Sequence, residues 1–166
     1  MTKYEPVYKL RWVLTLPRTD PPVSDRTCMP GLSFSRRLAR QIRPRTELRA
    51  CCWHHSVDWH IATAAAISIV RKLRRERFTD EEDRDDRFFD LLESVGLSDR
   101  EEDAVLILAS LEAVMTLDVR VNTRRKFYQD GRKRSHAMLE AGVHRTVTVW
   151  WREIKPWHRF IRPFGR

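Results

Sequence analysis

The chain contains 166 residues, of which 42% are hydrophobic and 33% are charged, and it carries a net charge of +9. This length suits one domain with a hydrophobic core and is too short to favour two. Three cysteines, Cys28, Cys51 and Cys52, are too few for a disulfide framework and fit a reducing compartment. The longest apolar run, residues 61–70, is about half of a membrane span, and the N-terminal region lacks a secretory signal. We therefore expect an intracellular protein of the cytoplasm or an organelle matrix, neither secreted nor membrane-spanning.

Charge is distributed unevenly along the chain. Residues 76–118 contain 15 acidic and 4 basic side chains, a balance of −11, so the remaining residues carry +20. Arginine supplies 26 of the 32 basic residues, and its planar guanidinium pairs with phosphates and carboxylates and stacks on aromatic rings. The pattern predicts an acidic centre with basic segments on either side. The basic segments could bind an external anion, or they could pair with the acidic centre.

The N-terminal segment is predicted to be a strand followed by a connector. Residues 7–16 alternate apolar and polar side chains, which is typical of a half-buried strand. Pro17 ends the strand, and prolines at positions 21, 22 and 30 predict an irregular connector over residues 17–31.

Residues 33–43 are predicted to form a short basic helix that stops before Pro44. Its apolar side chains fall on the face opposite four arginines. The basic face could contact phosphate or an acidic protein, or it could pair with the acidic segment of the same chain. The four arginines are Arg36, Arg37, Arg40 and Arg43.

Side chains of the types that bind zinc are concentrated between positions 51 and 60. A structural zinc site usually combines two closely spaced ligand pairs that are far apart in sequence, and no remote pair fits here. Cys51 and His55 could share a helix face at i and i+4, but the other ligands would have to come from elsewhere. We therefore predict no metal and no cofactor. The residues considered are Cys51, Cys52, His54, His55, Asp58 and His60.

The same segment is interpreted as the start of a helix capped by Ser56. One apolar stripe at helical spacing predicts its buried face. The stripe consists of Trp59, Thr63, Ala66, Val70 and Leu73.

Residues 78–116 predict an acidic hairpin of two helices. Thr79 with Glu82, and Ser98 with Glu101, have the spacing of capping boxes. Gly96 is expected to end the first helix in the left-handed conformation. The apolar faces should pack together; they comprise Phe88, Leu91, Leu92 and Val95 in the first helix, and Ala104, Leu108, Leu111 and Met115 in the second.

Residues 117–122 predict a short strand, and residues 124–141 predict a helix with a possible break at positions 130–131. Clustered basic side chains around Phe127 and Tyr128 make this helix a candidate for nucleic-acid binding, because bases stack on aromatic rings while cations hold the backbone. A solvated basic helix facing the acidic hairpin is the alternative. The basic residues are Arg124, Arg125, Lys126, Arg132, Lys133 and Arg134.

Gly142 is expected to close that helix, and residues 143–151 alternate as a strand that could pair with residues 7–16. The tail interleaves aromatic and basic residues that it cannot bury by itself. Such side chains are enriched at interfaces, so we predict partner contacts through Trp150, Trp157, Arg159, Phe160, Arg162 and Phe164.

Together these patterns predict an α+β fold, mostly α: a small helical bundle built on the capped acidic hairpin, with a short antiparallel sheet from the terminal segments. We expect one domain with arms: an N-terminal strand and connector in residues 1–31, a helical core in 32–142, and a strand and tail in 143–166. Neither a glycine-rich phosphate loop nor a nucleophile elbow is present, so we expect no catalysis.

The expected function is that of a structural subunit of a larger assembly, a ribonucleoprotein in which the chain contacts RNA phosphate and neighbouring proteins. Two alternatives stay open: an accessory subunit of an organelle respiratory-type complex, and a small viral or phage protein that inhibits a host factor.

Overall fold

The computed structural model describes residues 3–16, 28–29, 32–76, 78, 81–109, 117–119, 126–128 and 131–154. Helices and strands alternate irregularly along this part of the chain. They are β1 (Lys3–Trp12), a 3₁₀ turn (Val13–Thr15), α1 (Phe34–Ile42), α2 (Trp53–Ser56), α3 (Trp59–Leu73), α4 (Glu81–Glu93), α5 (Asp99–Ala109), β2 (Leu117–Val119), β3 (Lys126–Tyr128), α6 (Arg132–Glu140) and β4 (Arg145–Ile154). The predicted α+β class, mostly α, is confirmed.

The first and last strands pair antiparallel, as the alternating patterns predicted. The register runs from Lys3 opposite Ile154 to Trp12 opposite Arg145. β1 ends earlier than the predicted strand, because the chain enters the 3₁₀ turn at Val13, where the Leu16 N–H donates to the Val13 carbonyl at 3.1 Å. Val13 in this turn is fully buried.

Helix α3 lies at the centre of the hydrophobic core. It contacts α4, α5, α6 and β4, and the whole predicted stripe from Trp59 to Leu73 is buried. Small side chains at Ala62, Ala65 and Ala66 are also buried, which lets neighbouring elements approach closely. The acidic hairpin is thus a layer packed against α3.

The start of α3 differs from the prediction. Ser56 belongs to the preceding one-turn helix α2, and its hydroxyl donates to the Trp53 carbonyl at 2.9 Å. Asp58 is the cap instead: its carboxylate accepts from the N–H groups of His60 at 2.9 Å and Ile61 at 3.2 Å. The prediction of Ser56 as the cap is wrong. Serine and aspartate are both good caps, and the extended backbone of Val57, which separates α2 from α3, places Asp58 at the start of α3.

The acidic hairpin forms from α4 and α5. Phe88, Leu91 and Leu92 are buried as predicted, whereas Val95 remains 41% exposed. Gly96 adopts φ +66° after α4, which confirms the predicted left-handed end. In α5, the predicted core residues Ala104 and Leu108 are buried. Thr79, Leu111 and Met115 lie outside the described residues.

The prediction of a helix over residues 124–141 is wrong in its first part. Residues 126–128 form β3, which pairs antiparallel with β2 from Leu117 opposite Tyr128 to Val119 opposite Lys126. Gly131 has φ +97°, which a right-handed helix cannot accommodate, so α6 begins only at Arg132. Gly142 closes α6 at φ +80°, as predicted.

None of the described helices combines the length and the hydrophobicity required to cross a bilayer.

Candidate metal centre and basic groove

Three thiols and one imidazole converge beside helix α2. One ligand atom from each of Cys28, Cys51, Cys52 and His55 lies within 4.8 Å of all the others. The Nδ1 atom of His55 is 3.2 Å from the Cys51 Sγ and 3.3 Å from the Cys52 Sγ. The sulfurs of Cys28 and Cys52 are 3.9 Å apart. These four residues are called the Cys₃His cluster below.

Local backbone contacts hold three of the four side chains in place. Cys52 is the cap of α2, and its carbonyl accepts from the His55 N–H at 3.0 Å. The His55 carbonyl in turn accepts from the Arg49 N–H at 2.8 Å, which fixes the turn that carries Cys51. Cys28 comes from a different part of the chain and is followed by Met29, whose side chain is 1% exposed and anchors it to the protein.

A buried carboxylate holds the far side of the imidazole. The Nε2 atom of His55 lies 3.1 Å from the Glu140 Oε2, and both side chains are 4% exposed. Arg49 donates to the same carboxylate oxygen, and the Arg45 Nη1 is 3.7 Å from the other oxygen. His136, one turn earlier in α6, places its Nε2 3.9 Å from the Glu140 Oε1. Glu140 therefore links α6 to the segment before α2.

The surroundings shift the pKa of several of these groups. Burial lowers the pKa of His55, and the charge of Arg49 lowers it further against the opposing effect of Glu140. Burial acts to raise the pKa of the Cys52 thiol, but hydrogen bonds from the His55 N–H and from the neighbouring thiols outweigh it, so that this pKa lies below its usual value. Burial raises the pKa of Cys28. A neutral imidazole thus faces an acidic thiol.

Other side chains of the same types are held away from the cluster. The His54 ring packs edge-on against the Trp53 ring, with the ring centroids 5.2 Å apart. The His60 ring contacts the Ala141 carbonyl at 2.7 Å, and Asp58 caps α3. Sequence spacing does not link Cys28, which lies within the proline-rich connector, to the cysteines at positions 51 and 52. The only sequence signal is that those two cysteines are adjacent and that the second precedes a histidine by three residues.

A basic groove lies next to the cluster, along α1. It has a volume of about 470 Å³ and is lined by Leu32, Arg36, Ala39, Arg40, Arg43, Arg45 and Glu140. Three of the four arginines predicted from the helical spacing, Arg36, Arg40 and Arg43, are therefore brought together with Arg45. Among the described residues, the only carboxylate that lines the groove is Glu140, which is engaged by Arg45 of the groove as well as by Arg49 and His55.

Two predicted nucleic-acid contacts are buried instead. Arg37 is 7% exposed, and its Nη2 donates to the carbonyls of Leu14 at 3.1 Å and Leu16 at 3.0 Å. Arg134 is 5% exposed and donates to the Ile107 carbonyl at 2.7 Å. Both guanidiniums stabilise backbone carbonyls inside the protein, which leaves them unavailable to an external phosphate.

The remaining predicted contacts are only partly located. Lys133 in α6 is partly exposed. The backbones of Lys126, Arg132 and Trp150 lie in β3, α6 and β4, respectively. Outside the described residues are Arg124, Arg125, Trp157, Arg159, Phe160, Arg162 and Phe164. Their proposed contacts stay predictions.

The opposite face of α1 exposes apolar side chains. Phe34 is 50% exposed, Leu38 is 42% exposed and Ile42 is 71% exposed. These residues recur at i, i+4 and i+8, which forms one continuous stripe on the helix.

No family model, characterised protein or solved structure matches this chain.

The Cys₃His cluster has the donors for three kinds of chemistry. A thiol, an imidazole and a carboxylate in series resemble the arrangement of a cysteine nucleophile with its base and orienting group. Two neighbouring thiols could form a disulfide, but 3.9 Å far exceeds the S–S bond length of about 2.05 Å. Three thiols sharing one imidazole exceed what a single nucleophile requires and match the donor set of a metal ion.

Proposed function

We propose that this chain is a non-catalytic interaction protein that binds RNA phosphate in the basic groove, as a structural subunit of a ribonucleoprotein. The observation that supports this is the convergence of Arg36, Arg40, Arg43 and Arg45 around one groove. Glu140, the carboxylate in the groove, pairs with Arg45 at 3.7 Å and is also engaged by Arg49 and His55. The groove arginines that remain to bind an external anion are Arg36, Arg40 and Arg43. An external polyanion would complete the charge balance.

The dimensions of the groove suit a short stretch of backbone. Arg36 and Arg43 are separated by seven residues of helix, which corresponds to about 10 Å at ~1.5 Å per residue. Successive phosphates of a stacked strand advance by ~3.4 Å along its axis, so the groove covers about three nucleotides. Guanidinium groups also bind phosphate oxygens in a bidentate fork, which favours arginine over lysine at such a site.

The apolar stripe of α1 supports contacts with neighbouring proteins. Phe34, Leu38 and Ile42 lie on the side of the helix opposite the groove, so one helix could contact RNA and protein at the same time. This stripe is also the observation that favours the alternative, an accessory subunit of a protein-only assembly such as an organelle respiratory-type complex. RNA binding distinguishes the two.

The test is the affinity of the purified chain for single-stranded RNA as a function of salt. Each phosphate contact contributes about 0.7 to the slope of log K against log salt for a single strand. The double variant Arg40→Gln/Arg43→Gln should therefore bind more weakly and reduce the magnitude of the slope by about 1.4. Fluorescence anisotropy over a range of salt concentrations measures both quantities.

The matched control is Arg71→Gln/Arg75→Gln, which removes the same charge from exposed residues at the end of α3. It should keep most of the slope, because these residues lie outside the groove. Equal losses in the two double variants would show that binding follows net charge and would refute the groove as the site. No binding of the parent chain at low salt would refute the function itself and leave the protein-only alternative.

A further inference from the structure

We propose that Cys28, Cys51, Cys52 and His55 bind one zinc ion in a closed, tetrahedral structural site. This goes beyond the proposed RNA contact and does not depend on it. Two independent features support it: the convergence of four donor atoms, and a buried carboxylate placed behind the only imidazole among them.

Three of the six donor–donor distances lie close to the edges of a tetrahedron around a single ion, and all six lie within 4.8 Å. Zinc bonds of about 2.3 Å to sulfur and about 2.0–2.1 Å to nitrogen imply edges of about 3.8 Å between sulfurs and about 3.6 Å between sulfur and nitrogen. The observed separations are 3.9 Å for the Cys28 and Cys52 sulfurs, and 3.2 Å and 3.3 Å for the two sulfur–nitrogen pairs. Small adjustments of side-chain torsions would therefore be enough to bind the ion.

The types of donor atom indicate which metal would bind and what role it would have. Thiolate sulfur and imidazole nitrogen favour zinc over magnesium and calcium, which prefer oxygen ligands. Four protein ligands fill a tetrahedral zinc ion and leave no position for water or substrate, as in structural sites. The bound ion would therefore stabilise the fold, and the thiols would serve as ligands rather than as nucleophiles.

Glu140 orients the imidazole for this role. With the proton of His55 on Nε2, the ring donates to the Glu140 Oε2 at 3.1 Å, which leaves the Nδ1 lone pair facing the sulfurs of Cys51 and Cys52. A carboxylate behind a ligating histidine is the usual supporting arrangement in zinc sites. Glu140 is thus a positioning residue, and Arg49 holds its carboxylate in place.

The ion would join parts of the chain that are distant in sequence. Cys28 would be tied to the segment before α2, and His55 would be tied through Glu140 to the end of α6. Because Glu140 and Arg45 also line the basic groove, the zinc site would support one wall of it.

The test uses the full chain, produced with zinc supplied, dialysed against metal-free buffer and analysed for metal by mass spectrometry. We expect one zinc ion per chain. After removal of the metal under reducing conditions, cobalt(II) should restore one equivalent and give the absorption bands of a tetrahedral site with thiolate ligands. Bound thiols should also resist alkylation until a chelator is added.

Three variants locate the site. Cys52→Ser and His55→Gln should lose the stoichiometric zinc, whereas His60→Gln, which alters a neighbouring exposed histidine outside the cluster, should retain it. Glu140→Gln keeps all four ligands and should weaken zinc affinity by about 10–100-fold while retaining one ion per chain at saturation. This last variant remains informative even where the loss of a ligand prevents folding.

Two results would overturn the proposal. The first is a parent chain that contains no zinc and takes up neither zinc nor cobalt under reducing conditions. The second is rapid alkylation of a single cysteine in the zinc-loaded preparation, because it would identify that thiol as a free nucleophile.

Discussion

Replacing Gly142 with alanine tests how the end of α6 is joined to the segment after α1. Gly142 has φ +80°, and a Cβ atom added there would lie 2.4 Å from the Pro44 Cβ and 3.0 Å from the Pro44 Cγ. A left-handed conformation costs an alanine about 1–2 kcal/mol. Forcing an atom into a closely packed contact costs about 1–3 kcal/mol more. Once the reduced entropy of the unfolded chain is subtracted, we expect Gly142→Ala to destabilise the protein by about 2–4 kcal/mol.

Gly96 provides a matched control. It has φ +66°, and a Cβ atom at that position would meet nothing within 4 Å. Gly96→Ala should thus be destabilised only by the left-handed backbone conformation. The net effect is about 1 kcal/mol, because the reduced entropy of the unfolded chain offsets part of that cost. The difference between the two variants isolates the contact with Pro44.

Urea unfolding, followed by circular dichroism on metal-replete protein, measures both changes at constant m value. A double-mutant cycle with Pro44→Gly, which removes both clashing atoms, should show a favourable coupling of about 1–3 kcal/mol. Equal destabilisation by the two alanines, or the absence of coupling in the cycle, would refute the close approach between these segments.

Two further predictions concern buried polar contacts. Tyr8→Phe removes the hydrogen bond from the phenol to the Ala109 carbonyl at 2.6 Å and should cost about 1 kcal/mol. Burial raises the Tyr8 pKa above its usual 10.0, so the stabilisation by the neutral phenol is complete below pH 10 and is lost as pH rises through the folded-state pKa. Urea unfolding should therefore show the free energies of unfolding of the parent and Tyr8→Phe proteins converging in that alkaline range. A difference that stays constant with pH would contradict this. Asp58→Ala should destabilise the protein by about 1 kcal/mol, because it removes the N-terminal cap of α3. Thermal unfolding should show a smaller effect for Ser56→Ala. A larger effect for Ser56→Ala would contradict the assignment of Asp58 as the cap.

Patterns with a strict period predicted the fold well. The buried stripe of α3 follows from helical spacing between Trp59 and Leu73, and the pairing of β1 with β4 follows from alternation in both segments. Gly96 and Gly142 were identified as helix ends because the residue after a helix often needs a positive φ. These features depend on residues close together in sequence.

Features set by tertiary packing were not predicted. Cys28 lies in the proline-rich connector, far in sequence from Cys51 and Cys52, and no spacing rule links a single cysteine to such a remote adjacent pair. Arg37 shares a helical periodicity with exposed arginines, yet it is buried, because its guanidinium donates to the carbonyls of Leu14 in the 3₁₀ turn and of Leu16 directly after it. Glu140 occupies an ordinary helical position, and its role emerges only where α6 meets α2.

The pairing of the first strand with the last has a consequence for folding kinetics. The hydrogen-bonded partners in β1 and β4 are more than 130 residues apart in sequence, from Trp12 with Arg145 to Lys3 with Ile154. The loop-closure entropy of such remote contacts must be overcome before they add stability, so the sheet should form late. During synthesis, β1 leaves the ribosome long before its partner exists, and its unpaired edge is then exposed to aggregation or chaperone binding.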